Sequence, residues 1–263
     1  MNLPLLPLLE ACNVRFGYSR SVEAVRGVSL SIRQGSFCAL IGPNGSGKST
    51  LLRLLAGILA PREGEIRFEG RSLAAVDRRR LATRVGYVSQ SHSTVFPFTA
   101  LEVVLTGRSP YTPRFRFENE ADREVARRAL ATVDALTLES RPVTELSAGE
   151  RQLVAVARVL AQDADCMLLD EPSASLDLKH RARLISTLRR LRDERGLTTV
   201  MVTHDLQLLD PGVDHAFAMR SGEIVAEGSP SAVLRQNKLM EIYGDPQVRS
   251  RQMDGRTFVW SEW

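Results

Sequence analysis

Short runs of apolar and β-branched residues recur along the chain, each closed by polar or glycine-containing turns: "VEAVRGVSLSI", "FCALIG", "GEIRFEG", "VGYVSQ", "CMLLDE", "TTVMVTH" and "HAFAMRSGEIVAEG". Several are apolar throughout, the pattern of strands buried on both faces. Between them the period changes. Lys48 to Ala56 is strongly apolar, and Glu118 to Leu136 places Val125, Ala129, Val133 and Leu136 on one stripe. Leu153 to Leu160 is nearly continuous apolar, and Leu178 to Leu191 is amphipathic with basic outer positions. These spacings predict four helices. Strands alternating with helices predict an α/β fold with a largely parallel central sheet. From about residue 91 to 160 only helical patterns remain, which predicts a helical subdomain inserted into the sheet domain.

Composition adds bounds. The chain has 263 residues, 43% hydrophobic and 25% charged, enough for one large domain or a main domain with an appendage. Cys12, Cys38 and Cys166 are widely spaced, without CxxC, which argues against a metal site or disulfide framework and fits reduced thiols in a cytosolic protein. The opening "MNLPLLPLLEAC" lacks a basic start and is broken by Pro4, Pro7 and Glu10, a poor signal peptide. No apolar run approaches the roughly 18 residues needed to span a bilayer, so the chain is expected to be soluble by itself. The net charge of +4 favours anionic partners. Two basic stretches, residues 77–80 and 179–196, read as solvated helix faces, with nucleic acid or an anionic membrane as the other readings.

Three segments carry chemistry. "GPNGSGKST", residues 42–50, follows a buried strand and opens a helix, satisfying G-x-x-x-x-G-K-[ST] in the context the motif requires. Gly42, Gly45 and Gly47 let the backbone curl around Pro43, Asn44 and Ser46, turning amides inward as an anion nest at a helix N-terminus. Lys48 is placed to reach β- and γ-phosphates, Ser49 to ligate Mg²⁺, and Thr50 to add a donor. "CMLLDEP" delivers Asp170 and Glu171 at the carboxyl end of a buried strand, where open α/β sheets bind ligands. Asp170 suits the magnesium shell and Glu171 the attacking water. "TTVMVTHD" ends a further strand at His204, able to donate to a γ-phosphate. Separately, Ser147 and Glu150 in "ELSAGERQ" have the spacing of a capping box at a helix start.

In this order the elements resemble the ATP-binding-cassette ATPases, over essentially the whole chain. The family's signature loop reads Leu-Ser-Gly-Gly-Gln, and this chain has Leu146, Ser147, Ala148, Gly149 and Glu150. Ala148 biases its backbone toward the helical region, and Glu150 keeps the cap while adding a charge that a γ-phosphate would repel. Its side chain is therefore expected to point back to the cap. The resemblance marks Gln90 of "YVSQ" as a contact to Mg²⁺ and water, Asp177 of "SLD" as the D-loop acid, and Tyr18 of "FGYSR" as the aromatic residue that stacks on adenine. It implies a P-loop core with a largely parallel sheet, an antiparallel β subdomain and the inserted helical subdomain, over residues 1–244, with a short tail at 245–263. It also implies ATP and Mg²⁺ as ligands, and a head-to-tail dimer in which Ser147 and Gly149 cap the γ-phosphate held by the other copy.

Among members of that family, the chain has one P-loop, no heptads, no membrane-spanning run and only a short segment after "GEIVAEGSP". These features favour a separate transporter subunit over a DNA-repair, translation, exporter or sugar-import cassette, with no nucleic acid expected as a partner; another ABC transporter, for other metal or oxyanion import or for export, and a soluble ATPase acting on nucleic acid are the alternatives. "FPFTALEVVLTGRSPYT" and the closing "MEIYGDPQVRSRQMDGRTFVW" resemble the ATPases of iron-siderophore, haem and cobalamin importers. That resemblance implies a peripheral place on the cytoplasmic face of the membrane, a permease, and indirectly a substrate-binding protein. The apolar cluster Val95, Phe96, Phe98, Leu101, Val103 and Val104 lies where the family receives the permease.

Overall fold

The computed structural model describes residues 7–19, 21–90, 96–111, 119–209, 212–254 and 256–262. They form two units, one of Met1–Val76 with Thr198–Trp263 and one of Asp77–Leu197. The first unit begins with β1 (Leu9–Phe16) and β2 (Val25–Ile32), paired antiparallel. In β2 the residues Val25, Val28, Leu30 and Ile32 are buried between exposed positions, which fits a sheet with one packed face. The run that contains β1 has no clean alternation, because its register slips between Ala11 and Val14, where Asn13 sits at φ 48°. β3 (Phe37–Ile41) is buried at every position, and α1 (Lys48–Leu55) buries Leu51, Leu52, Leu54 and Leu55. β4 (Glu63–Phe68) adds to β1 and β5 (Arg71–Ser72) to β4, completing an antiparallel sheet of order β2-β1-β4-β5.

The second unit opens with α2 (Arg78–Ala82), whose Asp77 cap accepts the Arg80 amide at 3.0 Å. Only Leu81 of this helix is buried, so the basic stretch is a solvated face. β6 (Val85–Val88) follows, then α3 (Ala100–Leu105), α4 (Glu120–Thr132) and α5 (Ala148–Ala161), which pack on one another. α4 is shorter than its periodicity predicts. Asp134 adopts a left-handed φ of 59°, and Leu136 passes into a separate 3-10 turn and is exposed, while Ala126 and Leu130 join Ala129 on the buried face. Glu118, the predicted start, lies outside the described residues. α5 starts at Ala148 rather than Leu153, because its first turn is polar and held by a cap. β7 (Cys166–Asp170) runs parallel to β6, and α6 (Leu178–Arg195) buries Leu184, Ile185, Leu188 and Leu191 beneath its basic outer positions. Gly196, at φ 68°, ends that helix as a left-handed cap.

The chain then returns to the first unit. β8 (Thr198–Val202) lies parallel to β3 on one side, and β9 (His215–Arg220) lies parallel to it on the other. β10 (Glu223–Gly228) pairs antiparallel with β9, their turn made by Ser221 and Gly222 at φ 50° and 88°. α7 (Pro230–Val233) and α8 (Gln236–Tyr243) follow. The segment expected to be a short tail then folds as an antiparallel hairpin of β11 (Val248–Met253) and β12 (Arg256–Ser261). Its sequence hid the pairing, because the face bearing Arg251, Met253, Arg256, Phe258 and Trp260 is exposed and mixes charge with aromatics. Truncating a side chain as buried as Leu168 or Phe217 would cost about 2–5 kcal/mol.

Candidate nucleotide site

In the first unit, β3 stops at Ile41 and the chain turns through the glycine loop into α1. Gly42 has φ 136°, and a Cβ there would lie 2.0 Å from the Met219 carbonyl oxygen; at Gly47, with φ 102°, it would lie 2.2 Å from the Ala24 oxygen. No other residue fits either place without moving backbone. Gly47 begins α1 with no side-chain cap, so the first-turn amides carry the helix's positive end into the loop. Ser46 is buried and its hydroxyl has no hydrogen-bond partner among the described residues. An uncapped helix start and an orphaned hydroxyl in one curled loop are what a phosphate satisfies. The Lys48 ammonium, 5% exposed, donates to the carbonyls of Gly42 at 2.9 Å and Pro43 at 2.8 Å, so it is folded onto the same loop. Asn44 and Gly45 form the exposed tip, and Ser49 is half-buried in the first helical turn.

Tyr18 presents its ring to solvent at 62% exposure, steadied edge-on by Phe16 at 5.1 Å between centroids. Its hydroxyl lies 3.3 Å from the Thr50 hydroxyl and accepts from Arg53 at 3.3 Å. The ring is thereby anchored beside α1 with a face to offer a base. His204 follows β8 and is exposed. Its neighbours fix the turn: the Thr203 amide donates to Leu40 of β3 at 3.3 Å, and Asp205 caps a 3-10 turn at Leu206–Leu208. Since β3 and β8 are parallel neighbours, the glycine loop and His204 leave the same sheet edge.

In the second unit, β6 and β7 are parallel neighbours, and Gln90, Asp170 and Glu171 stand at their shared carboxyl edge. Asp170 is fully buried and accepts from the Tyr87 hydroxyl at 3.3 Å. Glu171 sits at φ 52°, a left-handed conformation that costs a non-glycine residue roughly 1–2 kcal/mol. Strain of this kind collects at functional positions, and nothing in "CMLLDEP" signals it.

The signature turn is also in this unit. Ser147 begins α5, accepting the Glu150 amide at 3.2 Å while Glu150 accepts the Ser147 amide at 2.7 Å. The reciprocal cap is complete, and Glu150 points back to it as expected. The Ser147 amide holds the Glu150 carboxyl below the ordinary carboxylate range, helped by Arg141 at 3.1 Å. Sequence reading missed Arg141, which lies outside the motif. Ala148 is helical, and Ser147 and Ala148 are exposed. At Gly149 a Cβ would lie 2.9 Å from the Ser175 carbonyl oxygen, so the glycine lets α5 approach the "SLD" loop. Asp177 of that loop caps α6, accepting the His180 amide and ring nitrogen, each at 2.8 Å; the amide bond lowers its pKa. The apolar cluster divides. Phe96 and Phe98 form an exposed pair 6.0 Å apart, Leu101 and Val103 are half-buried, Val104 is core, and Val95 lies outside the described residues.

Comparison with known proteins bears on this arrangement. The family profile described as ABC transporter matches residues 25–174. The hemin import ATP-binding protein HmuV of Streptomyces coelicolor is 43% identical over 220 residues, 84% of this chain and 78% of the relative. The ferric enterobactin transport ATP-binding protein FepC of Escherichia coli is 36% identical, over 90% and 87%. Among solved structures, an inward-facing ABC transporter described as of metal-chelate type superimposes with a TM-score of 0.80 at 28% identity, covering 96% of both chains. A dimeric bacterial ABC transporter cassette gives 0.77 at 29%, covering 84% of this chain and 98% of its own. The chain belongs to the ABC transporter family, in which it is an ATPase coupled to transport.

Proposed function

We propose that this chain energises import of a metal chelate or corrinoid through a separate permease, on the cytoplasmic face of the membrane. The observation that carries the reading is the pairing of an open phosphate loop with an exposed, fully capped signature turn. The names of the relatives, which include a cobalamin import ATP-binding protein of Halobacterium salinarum, support the substrate class. Among the described residues no helix is long and apolar enough to cross a membrane, so transport needs a permease. The exposed Phe96 and Phe98 pair is a fitting contact for it, and a substrate-binding protein would deliver the cargo.

In this reading Tyr18 stacks on the adenine, and the amides of the Gly42–Ser49 loop receive the β- and γ-phosphates. Lys48, folded onto the same loop by two carbonyls, has an ammonium with three donors to turn toward the phosphate oxygens. Ser49, Asp170 and Gln90 offer the hard oxygen donors that Mg²⁺ prefers. When bound there, the ion would neutralise charge on the phosphates. Glu171 orients and deprotonates the attacking water, and His204 donates to the transferring group. Ser147 and the Gly149 amide of a second copy close over the γ-phosphate, and hydrolysis releases the pair. Capping does not compete with this: a serine hydroxyl that accepts one bond still has its proton to donate.

Glu171→Gln separates the roles. It should bind ATP as the wild type does, accumulate as dimer, and lose about 10²–10⁴-fold in turnover. Retained turnover would remove Glu171 from its place. Transport is tested by measuring ATPase activity in liposomes with the cognate permease and loaded binding protein. Stimulation by DNA alone would overturn the transport reading.

A further inference from the structure

The exposed Phe96 and Phe98 pair and the capped start of α5 belong to one unit, and a short strap of residues 139–143 joins them. Its backbone lies along the start of α3. The Val143 amide donates to the Phe98 carbonyl at 2.8 Å, and Thr99 and Pro142 pair as an antiparallel bridge. The Ala100 amide donates to the Arg141 carbonyl and the Leu101 amide to the Glu139 carbonyl, each at 3.0 Å. Ala100 and Leu101 open α3, so the strap supplies acceptors for amides that a helix start otherwise leaves unpaired. Displacing Phe98 therefore displaces the strap.

The Arg141 side chain leaves the strap for the signature turn. One of its nitrogens donates to a Glu150 carboxylate oxygen at 3.1 Å and another to the Glu145 carbonyl at 3.2 Å. The second oxygen of Glu150 accepts the Ser147 amide at 2.7 Å, so a single carboxylate joins Arg141 to the cap. Leu146 is buried and its carbonyl accepts from Arg151, which ties the turn to α5 itself. A planar guanidinium with two bonds made fixes direction as well as distance. Stability is a poor account of this arrangement. The Arg141 and Glu150 side chains are 43% and 32% exposed, where an ion pair contributes little, and the reciprocal cap stands without Arg141.

We infer that Arg141 is a positioning residue that carries displacement of the Phe96–Phe98 segment to the signature turn, so that the permease sets how Ser147 and Gly149 meet the phosphate held by the other copy. The inference rests on the reading of the aromatic pair as the permease contact and of the signature turn as a cap on the second site. The path has no gap: Phe98 to Val143 and Ala100 to Arg141 through backbone, then Arg141 to Glu150 and Glu150 to Ser147 through side chains.

The test measures ATPase activity of the full chain with the cognate permease in liposomes and without it, and takes the ratio of the two rates. In Arg141→Ala the ratio should fall about fivefold, the effect of one broken link in such a path. A merely structural role would lower both rates together; an unchanged ratio overturns the inference. Arg127→Ala frees Glu139 of the strap from α4 without touching the signature turn, and should keep the wild-type ratio. An equal fall there would assign the effect to the strap's own stability and would also overturn the inference. Phe98→Ser is the separate control on the underlying reading. If it keeps the wild-type ratio, the permease-contact reading itself fails. If it loses the ratio while Arg141→Ala keeps it, only the inference fails.

Discussion

The helix after the glycine loop, α1, begins on Gly47 with no side-chain cap, whereas α5 begins on Ser147 with both halves of a reciprocal cap in place. Every helix start leaves amides without partners, and these two leave different sets. In α1 the start lies inside a curled loop, with a buried serine hydroxyl beside it and a lysine parked on nearby carbonyls. In α5 the amides of Ser147 and Glu150 are satisfied internally, and those of Ala148 and Gly149 stand between them. An open start is shaped by the anion it receives. A capped start is already shaped and offers only a small, fixed set of donors, which suits a surface that must dock onto a phosphate held elsewhere.

The largest effect should come from breaking the open start. Lys48→Ala should weaken ATP binding by about 10–100-fold, the worth of charge-assisted contacts to phosphate, with little change in folding. Titration with labelled nucleotide measures it. The capped start should respond in stability. In Gly149→Ala the new Cβ meets the Ser175 backbone at 2.9 Å, so α5 or the "SLD" loop must shift, at about 1–3 kcal/mol in urea unfolding. The smallest effect sharpens the electrostatics. The Glu150 carboxyl has its pKa lowered from 4.5 by the Ser147 amide, so the charged form is favoured in the folded chain. Its contribution is present above pH 4.5 and lost as the pH falls through the folded value. The advantage of wild type over Glu150→Gln should be under about 1 kcal/mol near neutrality, as for other half-exposed pairs, and should shrink toward pH 3 in urea midpoints.

Both helix starts could be read from residue types. The glycines, Lys48 and Ser49 stand at a spacing that only a strand–loop–helix context explains, and Ser147 with Glu150 is a cap in any helix. The buried strands were equally plain, because continuous apolar runs have few other uses. What stayed hidden was set by contacts distant in sequence. β1 was obscured by a bulge at Asn13 that breaks alternation. The left-handed Glu171 depends on surroundings that hold it there. Arg141 braces Glu150 from outside the motif. The hairpin of β11 and β12 shows alternation on a face that is mostly exposed, so hydrophobicity gave no sign of it.

The central claim is that one copy's capped turn completes another copy's open loop, and mixing two inactive variants tests it most directly. Lys48→Ala and Ser147→Arg should each abolish hydrolysis alone. In a head-to-tail pair of one with the other, both defects fall on one site and the second site has an intact loop and an intact signature turn. An equal mixture should therefore recover about a quarter of wild-type ATPase activity, from random pairing and one working site in each mixed dimer. A mixture as inactive as its two parents would contradict the account.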